Sequence, residues 1–124
     1  MKIGKKISGG LYHASRKSKL YENTGQVRTV KLGPSKGKIL RVRGGHIKAV
    51  LLSSDTANVF NPKTKVSKVV KITNVIETPA NRFLARQNVL QKSSVIETEL
   101  GKARITNRPS QEGNVQAVLL NEAK

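Results

Sequence analysis

A chain of 124 residues carries 24 lysines and arginines against 7 acidic side chains, a formal net charge of +17, and a surface so positive repels itself and gathers polyanions. Cysteine is absent, which removes disulfides and thiolate metal sites. No apolar run approaches the roughly 18 residues that span a bilayer, and the front half lacks the bulky apolar stripe of a surface-bound helix. The predicted partner is therefore nucleic acid and not a membrane.

The charge is uneven. Residues 1–50 hold 13 basic side chains and one acidic one, Glu22, whereas residues 51–124 hold 11 and 6. This asymmetry predicts a gripping region joined to an ordinary fold. Met1-Lys2-Ile3-Gly4-Lys5-Lys6 leads into Ser8-Gly9-Gly10 and not into an apolar segment, so no secretory signal is expected and the location predicted is cytoplasmic. Residues 1–25, broken by Gly4, Gly9, Gly10 and Gly25 and charged by Lys2, Lys5, Lys6, Arg16, Lys17 and Lys19, read as a basic extended arm that orders on a polyanion. The other reading of this stretch is a short helix over Ala14–Tyr21 that packs Leu20 on the core.

Residues 26–124 read as one domain. Period-two alternation begins at Val27 and runs to Leu32, and Gly33-Pro34-Ser35-Lys36-Gly37 is a loop. Ile39–Arg43 and His46–Leu52 flank Gly44-Gly45, a hairpin signal because a tight primed turn needs positive φ. Alternation then places Leu40 and Val42 on one face, Arg41 and Arg43 on the other, predicting an apolar inner face and a guanidinium-bearing outer one. A turn at Asn61–Lys65 precedes a long β-branched run, Val66 to Ile76. Thr78-Pro79 has the form of a helix start, with Thr78 as N-cap and Pro79 at the first position. The helix over 80–90 sets Arg82 and Arg86 four apart on one face. Strands return at Val95–Glu99 and Lys102–Thr106, and a polar loop over 107–114 leads to a closing strand, Val115–Leu120. The fold class expected is mainly β: a small antiparallel barrel-like body with one or two short helices and the basic arm.

Specific strings then carry a resemblance. Lys5-x-x-Ser8-Gly9-Gly10, followed after five residues by Arg16-Lys17-x-Lys19, resembles the N-terminal signature of small-ribosomal-subunit protein eight of the archaeal and eukaryotic type, the S-eight-e family. Arg41-Val42-Arg43-Gly44-Gly45, Asn58-Val59-Phe60-Asn61-Pro62 and Pro79-Ala80-Asn81 are similar to it as well. So is the run Ile96–Thr106, continued by Arg108-Pro109-x-Gln111-x-Gly113 and Ala117-Val118-Leu119. The matches are co-linear over nearly the whole chain, and the compact length resembles archaeal members. Departures fall in loops: Leu20–Gly25 closes the signature differently, His46 and Thr78 stand where Asn is usual, and Ser110 replaces Gly. The resemblance implies a structural component of the small ribosomal subunit that binds ribosomal RNA (rRNA), with a barrel-like body, a basic extension, neighbouring ribosomal proteins and no catalytic role.

Residues of one chemistry sharpen this. His13 and His46 are the only histidines, so neither a metal nor any cofactor is expected. Glu97 and Glu99 share a strand face, but on so basic a chain they are better read as partners for Lys102 or Arg104 than as an acid–base pair. No phosphate-binding loop is present, and an enzyme acting on a small molecule is not expected. The candidate RNA-binding residues are Lys5, Lys6, Ser8, Gly9, Gly10, Arg16, Lys17 and Lys19 in the arm, and Arg41, Arg43, Gly44, Gly45 and Lys48 in the hairpin. Arg82 and Arg86 on the helix, with Arg104 and Arg108 near the late loop, complete the set. Arginine forks chelate phosphate, and glycine lets the backbone approach it. With four aromatics, Tyr12, Tyr21, Phe60 and Phe83, far apart, phosphate and groove contacts are expected and not rows of stacked bases. A ribosome-biogenesis factor of the same fold, or a non-specific basic nucleic-acid-binding protein, are the other functional readings.

Overall fold

The β-branched run after Asn61 becomes the longest strand of a computed structural model that describes residues 4–13, 16–23, 25 and 27–120. Nine strands form, β1 (Val30–Leu32), β2 (Lys36–Arg41), β3 (Ile47–Ser54), β4 (Thr56–Asn61), β5 (Val66–Glu77), β6 (Val89–Leu90), β7 (Val95–Thr98), β8 (Gly101–Ile105) and β9 (Gln116–Leu119), with one helix, α1 (Arg82–Arg86). Strands β4-β5-β7-β8-β9 close into a barrel, while β2-β3-β1-β6 make a second, four-stranded sheet. The barrel is antiparallel at every seam but one: β9 closes on β4 in parallel, Val59 opposite Ala117. The mainly β, barrel-like body expected from the sequence is therefore what forms.

The barrel interior alternates small and large side chains, as a five-stranded closure requires. Ala57, Ala103 and Ala117 leave room for Val59, Ile72, Ile96 and Ile105; Ile96 stands opposite Ala103 and Ile105 opposite Ala117. Strand β5 keeps its inward face only by slipping. Val70 and Ile72 point inward, then a bulge between Ile72 and Asn74 shifts the parity so that Val75 is the next buried residue. Asn74 Oδ1 accepts from the Val75 amide at 2.9 Å and holds the bulge. A second bulge after Val75 turns Thr78 inward.

The second sheet joins the same core. Val30, Leu51 and Leu90 belong to one buried cluster with the barrel residues. Strand β3 leads into β4 through Asp55 alone, whose carbonyl accepts from the Ile72 amide at 2.8 Å. Strand β1 pairs in parallel with β3 and antiparallel with β6, Val30 opposite Leu90.

Three local expectations are corrected. Thr78 does not cap the helix: it is buried and its hydroxyl accepts from Ser94 Oγ at 3.3 Å, so it serves the core. Pro79-Ala80 form a turn, and Asn81 Oδ1 caps α1 by accepting from the Phe83 amide at 3.0 Å. The helix stops at Arg86, because sheet pairing takes Val89-Leu90 into β6. Finally, the early strand begins at Val30, with Val27 in solvent.

Candidate nucleic-acid interface

The described part of the arm is largely exposed and carries a small structure of its own. The Lys6 amide donates to the Gly10 carbonyl at 2.8 Å, and the Gly9 amide to Lys6 at 2.9 Å. Lys5 bridges Leu11 across this loop. Gly9 sits at φ +83, where a side chain would be strained. Lys5, Lys6, Ser8, Gly9 and Gly10 thus form one tight, exposed turn. The alternative helix does not form among residues 16–22: Leu20–Glu22 is a single 3-10 turn and Leu20 is 88% exposed, since nothing apolar lies beneath it. Lys2, Ala14 and Ser15 lie outside the described residues.

Glu22, the one acid of the front half, has a defined task. Arg16 donates to both of its oxygens, at 2.6 and 2.9 Å, and the Lys19 amide donates a third bond at 3.0 Å. The Arg16 hydrogen bond first, and the Lys19 amide second, hold the Glu22 carboxyl below the usual glutamate range; the pairing raises Arg16. Of the candidate basic side chains, Arg16 alone among the described residues is neutralised by a carboxylate. Lys17 and Lys19 stay exposed beside that clasp.

The hairpin turns where expected, with Gly44 and Gly45 at φ +76 and +77 and the Val42 amide donating to His46 at 2.8 Å. Its outer face is more apolar than expected. Among the described residues strand β2 pairs with β3 alone, so beyond Val50 the two strands leave the core as a finger, exposed on the Arg41 face. Arg41 does alternate away from Leu40, but it shares its face with Ile39 and Ile47, both about three-quarters exposed (73% and 74%). Val42 is exposed as well. Leu40 and Lys48 on the other face are half-buried, so the Arg41 face is the outer one, as expected, but it carries exposed isoleucines beside its guanidinium groups. Lys48 lies opposite Leu40, on the other side from Arg41, and its Nζ donates to Gln111 Oε1. The finger presents Arg41, Arg43 and the two glycines together, while Lys48, one pair back from Arg41, fastens the finger to the late loop.

The late loop is built on Asn107. Its Nδ2 donates to Glu112 Oε2 and the Asn114 carbonyl, both at 2.9 Å, and its Oδ1 accepts from the Gln116 amide at 3.0 Å. The Leu51 amide donates to Pro109 at 3.2 Å, seating the loop on β3. Arg108 projects from this fixed loop and Arg104 from the outer face of β8, both exposed. Arg82 and Arg86 flank α1, with the Arg82 guanidinium 5.3 Å from the Phe83 ring centre. Glu97 lies opposite Lys102 in the β7–β8 register, as the sequence pattern anticipated; Glu99 falls in the turn.

Two features escaped the sequence. Arg28 and Lys92, distant in the chain, line one cleft with Arg108. The aromatics are as scattered as expected, yet none belongs to the core. All four are exposed, and Lys6 and Lys19 lie 5.6 and 5.8 Å from the Tyr12 and Tyr21 rings, within cation–π reach. Among the described residues, no helix is long and apolar enough to cross a membrane, and no cluster of three His, Asp or Glu is placed to hold a metal.

A small β-barrel that buries aliphatic side chains and turns outward a cationic surface with few acids to neutralise it is the architecture of a polyanion-binding protein. The comparisons narrow that class. The family described as "Ribosomal protein S8e" matches residues 2–120, and the chain belongs to it. It is 42% identical over 119 residues to the "Small ribosomal subunit protein eS8" of Methanococcus aeolicus, covering 95% of this chain and 93% of that one. The protein of the same name from Methanocella arvoryzae is 42% identical over 119 residues (96% and 95% covered), and that from Ignicoccus hospitalis 47% over 118 (94% and 91%).

Proposed function

We propose that the protein is a structural, non-enzymatic constituent of the small ribosomal subunit that binds folded small-subunit rRNA and lies among neighbouring ribosomal proteins. The observation carrying this reading is the disposition of charge. A complete aliphatic core closes without using Arg41, Arg43, Arg82, Arg86, Arg104 or Arg108, all of which are exposed. Exposed guanidinium groups on a finger, a helix and a loop suit the phosphates of several RNA segments, which they would hold in one arrangement. Residues 1–25 act in this reading as an RNA-binding arm, and residues 26–124 as the body from which it reaches.

Quantitative binding to purified small-subunit and large-subunit rRNA, with heparin as competitor, tests this. Preferential, heparin-resistant binding to small-subunit rRNA, and retention on small subunits through a high-salt wash, are the expected results. Equal affinity for both rRNAs and for duplex DNA would refute the reading.

A further inference from the structure

Strand β2 is an edge. In the order β2-β3-β1-β6 it has a neighbour on one side only, and among the described residues no backbone bond from Lys36–Arg41 runs anywhere but to β3. The register says which groups are left over. The Val42 amide donates to the His46 carbonyl, and in an antiparallel ladder bonded and non-bonded pairs alternate. Leu40 and Lys38 therefore turn their backbone groups to β3, whereas Arg41, Ile39 and Gly37, opposite Ile47, Ala49 and Leu51, turn theirs outward. The Leu51 amide bears this out by donating away from β2, to Pro109. The same strand carries uncovered apolar surface: Ile39 and Ile47, 73% and 74% exposed, share one face with Ala49, exposed too. Lys36 and Lys38 are exposed and have no acidic partner among the described residues.

We infer that the free edge of β2 receives an extended segment of another small-subunit protein as an added strand, apolar beside Ile39 and acidic beside Lys36 and Lys38; the inference rests on the ribosomal reading above. Ile39 and Lys38 lie on opposite faces, so the segment alternates apolar and acidic side chains. A row of outward amides and carbonyls is matched group for group by another backbone. A phosphate track offers acceptors, which suit the amides of Gly37, Ile39 and Arg41 but repel their carbonyls, so the edge favours a polypeptide over RNA. The isoleucines point the same way, because side chains at every second position of a neighbouring strand cover them. A second copy of the chain is a poor occupant. Two such edges would set Lys36, Lys38 and Arg41 against their own kind, on molecules of net charge +17. Lysines on an exposed edge discourage self-pairing, and the same lysines select an acidic strand. At six residues, β2 is long enough for a normal strand pairing.

Site-specific photocrosslinking in assembled subunits tests this. A benzophenone-bearing amino acid is placed at position 39 of the full chain, small subunits containing it are irradiated, and the attached peptide or nucleotide is read by mass spectrometry. A crosslink to one extended segment of another subunit protein, with alternating apolar and acidic residues, is expected. Two variants accompany it. Ile39→Pro removes an outward amide without touching a bond to β3, and Ile39→Thr/Ile47→Thr removes apolar surface while keeping β-branched side chains. Both should bind isolated small-subunit rRNA with the parent's affinity and salt slope, yet leave subunits in a high-salt wash about fivefold faster, the order of one backbone hydrogen bond lost. Crosslinks to rRNA alone, to a second copy or to nothing would overturn the added strand and leave the ribosomal reading standing. So would an Ile39→Thr/Ile47→Thr protein that melts like the parent and is retained as firmly. A parent chain absent from small subunits would instead refute the ribosomal reading, and the strand's partner with it.

Discussion

Replacing Arg41 and Arg43 together with Gln should separate binding from folding. Both side chains are exposed on a finger that β2 and β3 build beyond the last buried residue, Val50, and neither makes a hydrogen bond or ion pair among the described residues. Exposed substitutions of this kind usually change stability by no more than about 0.5 kcal/mol. The binding effect follows from counterion release. If the parent contacts about six phosphates, its log–log salt slope is about −5, and affinity falls roughly a thousandfold between about 50 and 200 mM salt. Two lost phosphate contacts make the slope shallower by about 2, so the same salt interval costs the variant only about a hundredfold. Filter binding to a small-subunit rRNA fragment over a salt series, with thermal melting in parallel, reads both quantities. An unchanged slope would show that the finger touches no phosphate. A melting temperature lowered by many degrees would show that these arginines hold the sheet together.

The remaining expectations concern the core and the arm. Ile96→Ala, at a side chain with no exposure opposite Ala103 and Val75, should cost about 3 kcal/mol through lost burial and the cavity left behind; denaturant unfolding that gives under 1 kcal/mol would deny Ile96 its place in the barrel. Because Glu22 is held below its ordinary value by Arg16, the clasp's contribution is complete above the usual glutamate pKa of about 4.3 and is lost only as pH falls through the lower folded value. A carboxyl-detected NMR titration should therefore place Glu22 below free glutamate, and a midpoint at or above it would mean the clasp is absent. Trypsin should cut the free protein first near Lys17 and Lys19, leave a stable body, and fail to cut the same sites on the ribosome; an arm as resistant as the body in RNA-free protein would show that it folds unaided.

Local patterns made the barrel legible and long-range pairings hid the rest. Strands β7 and β8 could be read from alternation alone, because Ile96, Thr98, Ala103 and Ile105 face inward at every second position. Strand β5 was legible as a strand but not in its faces, since two bulges reverse its parity and no period-two pattern records a bulge. Thr78-Pro79 carries the local signature of a helix start, yet Thr78 was claimed by Ser94, sixteen residues away, and the cap passed to Asn81. The hairpin turn and the sidedness of Leu40 and Arg41 were read from Gly44-Gly45 and alternation, but the late loop that reaches Lys48 through Gln111 left no trace in the segment. The second sheet needed the parallel pairing of β1 with β3, which leaves no trace in either segment.

The same division governs the candidate site. Clusters contiguous in sequence, in the arm, the finger and α1, were found as clusters because neighbours in sequence stay neighbours on one element. Arg28, Lys92 and Arg108 belong to three segments, brought to one cleft by the β1–β6 ladder and by the hydrogen bonds that seat the late loop. Charge counting registers each of them only as one more cation. The two kinds of site differ physically as well. The arm, finger and helix are convex and offer charge to any phosphate track, whereas the cleft sets its three cations around a recess lined also by Gln91 and Ser110. Convex charge supplies attraction that salt weakens, and cations set around a recess meet an anion from several sides at once.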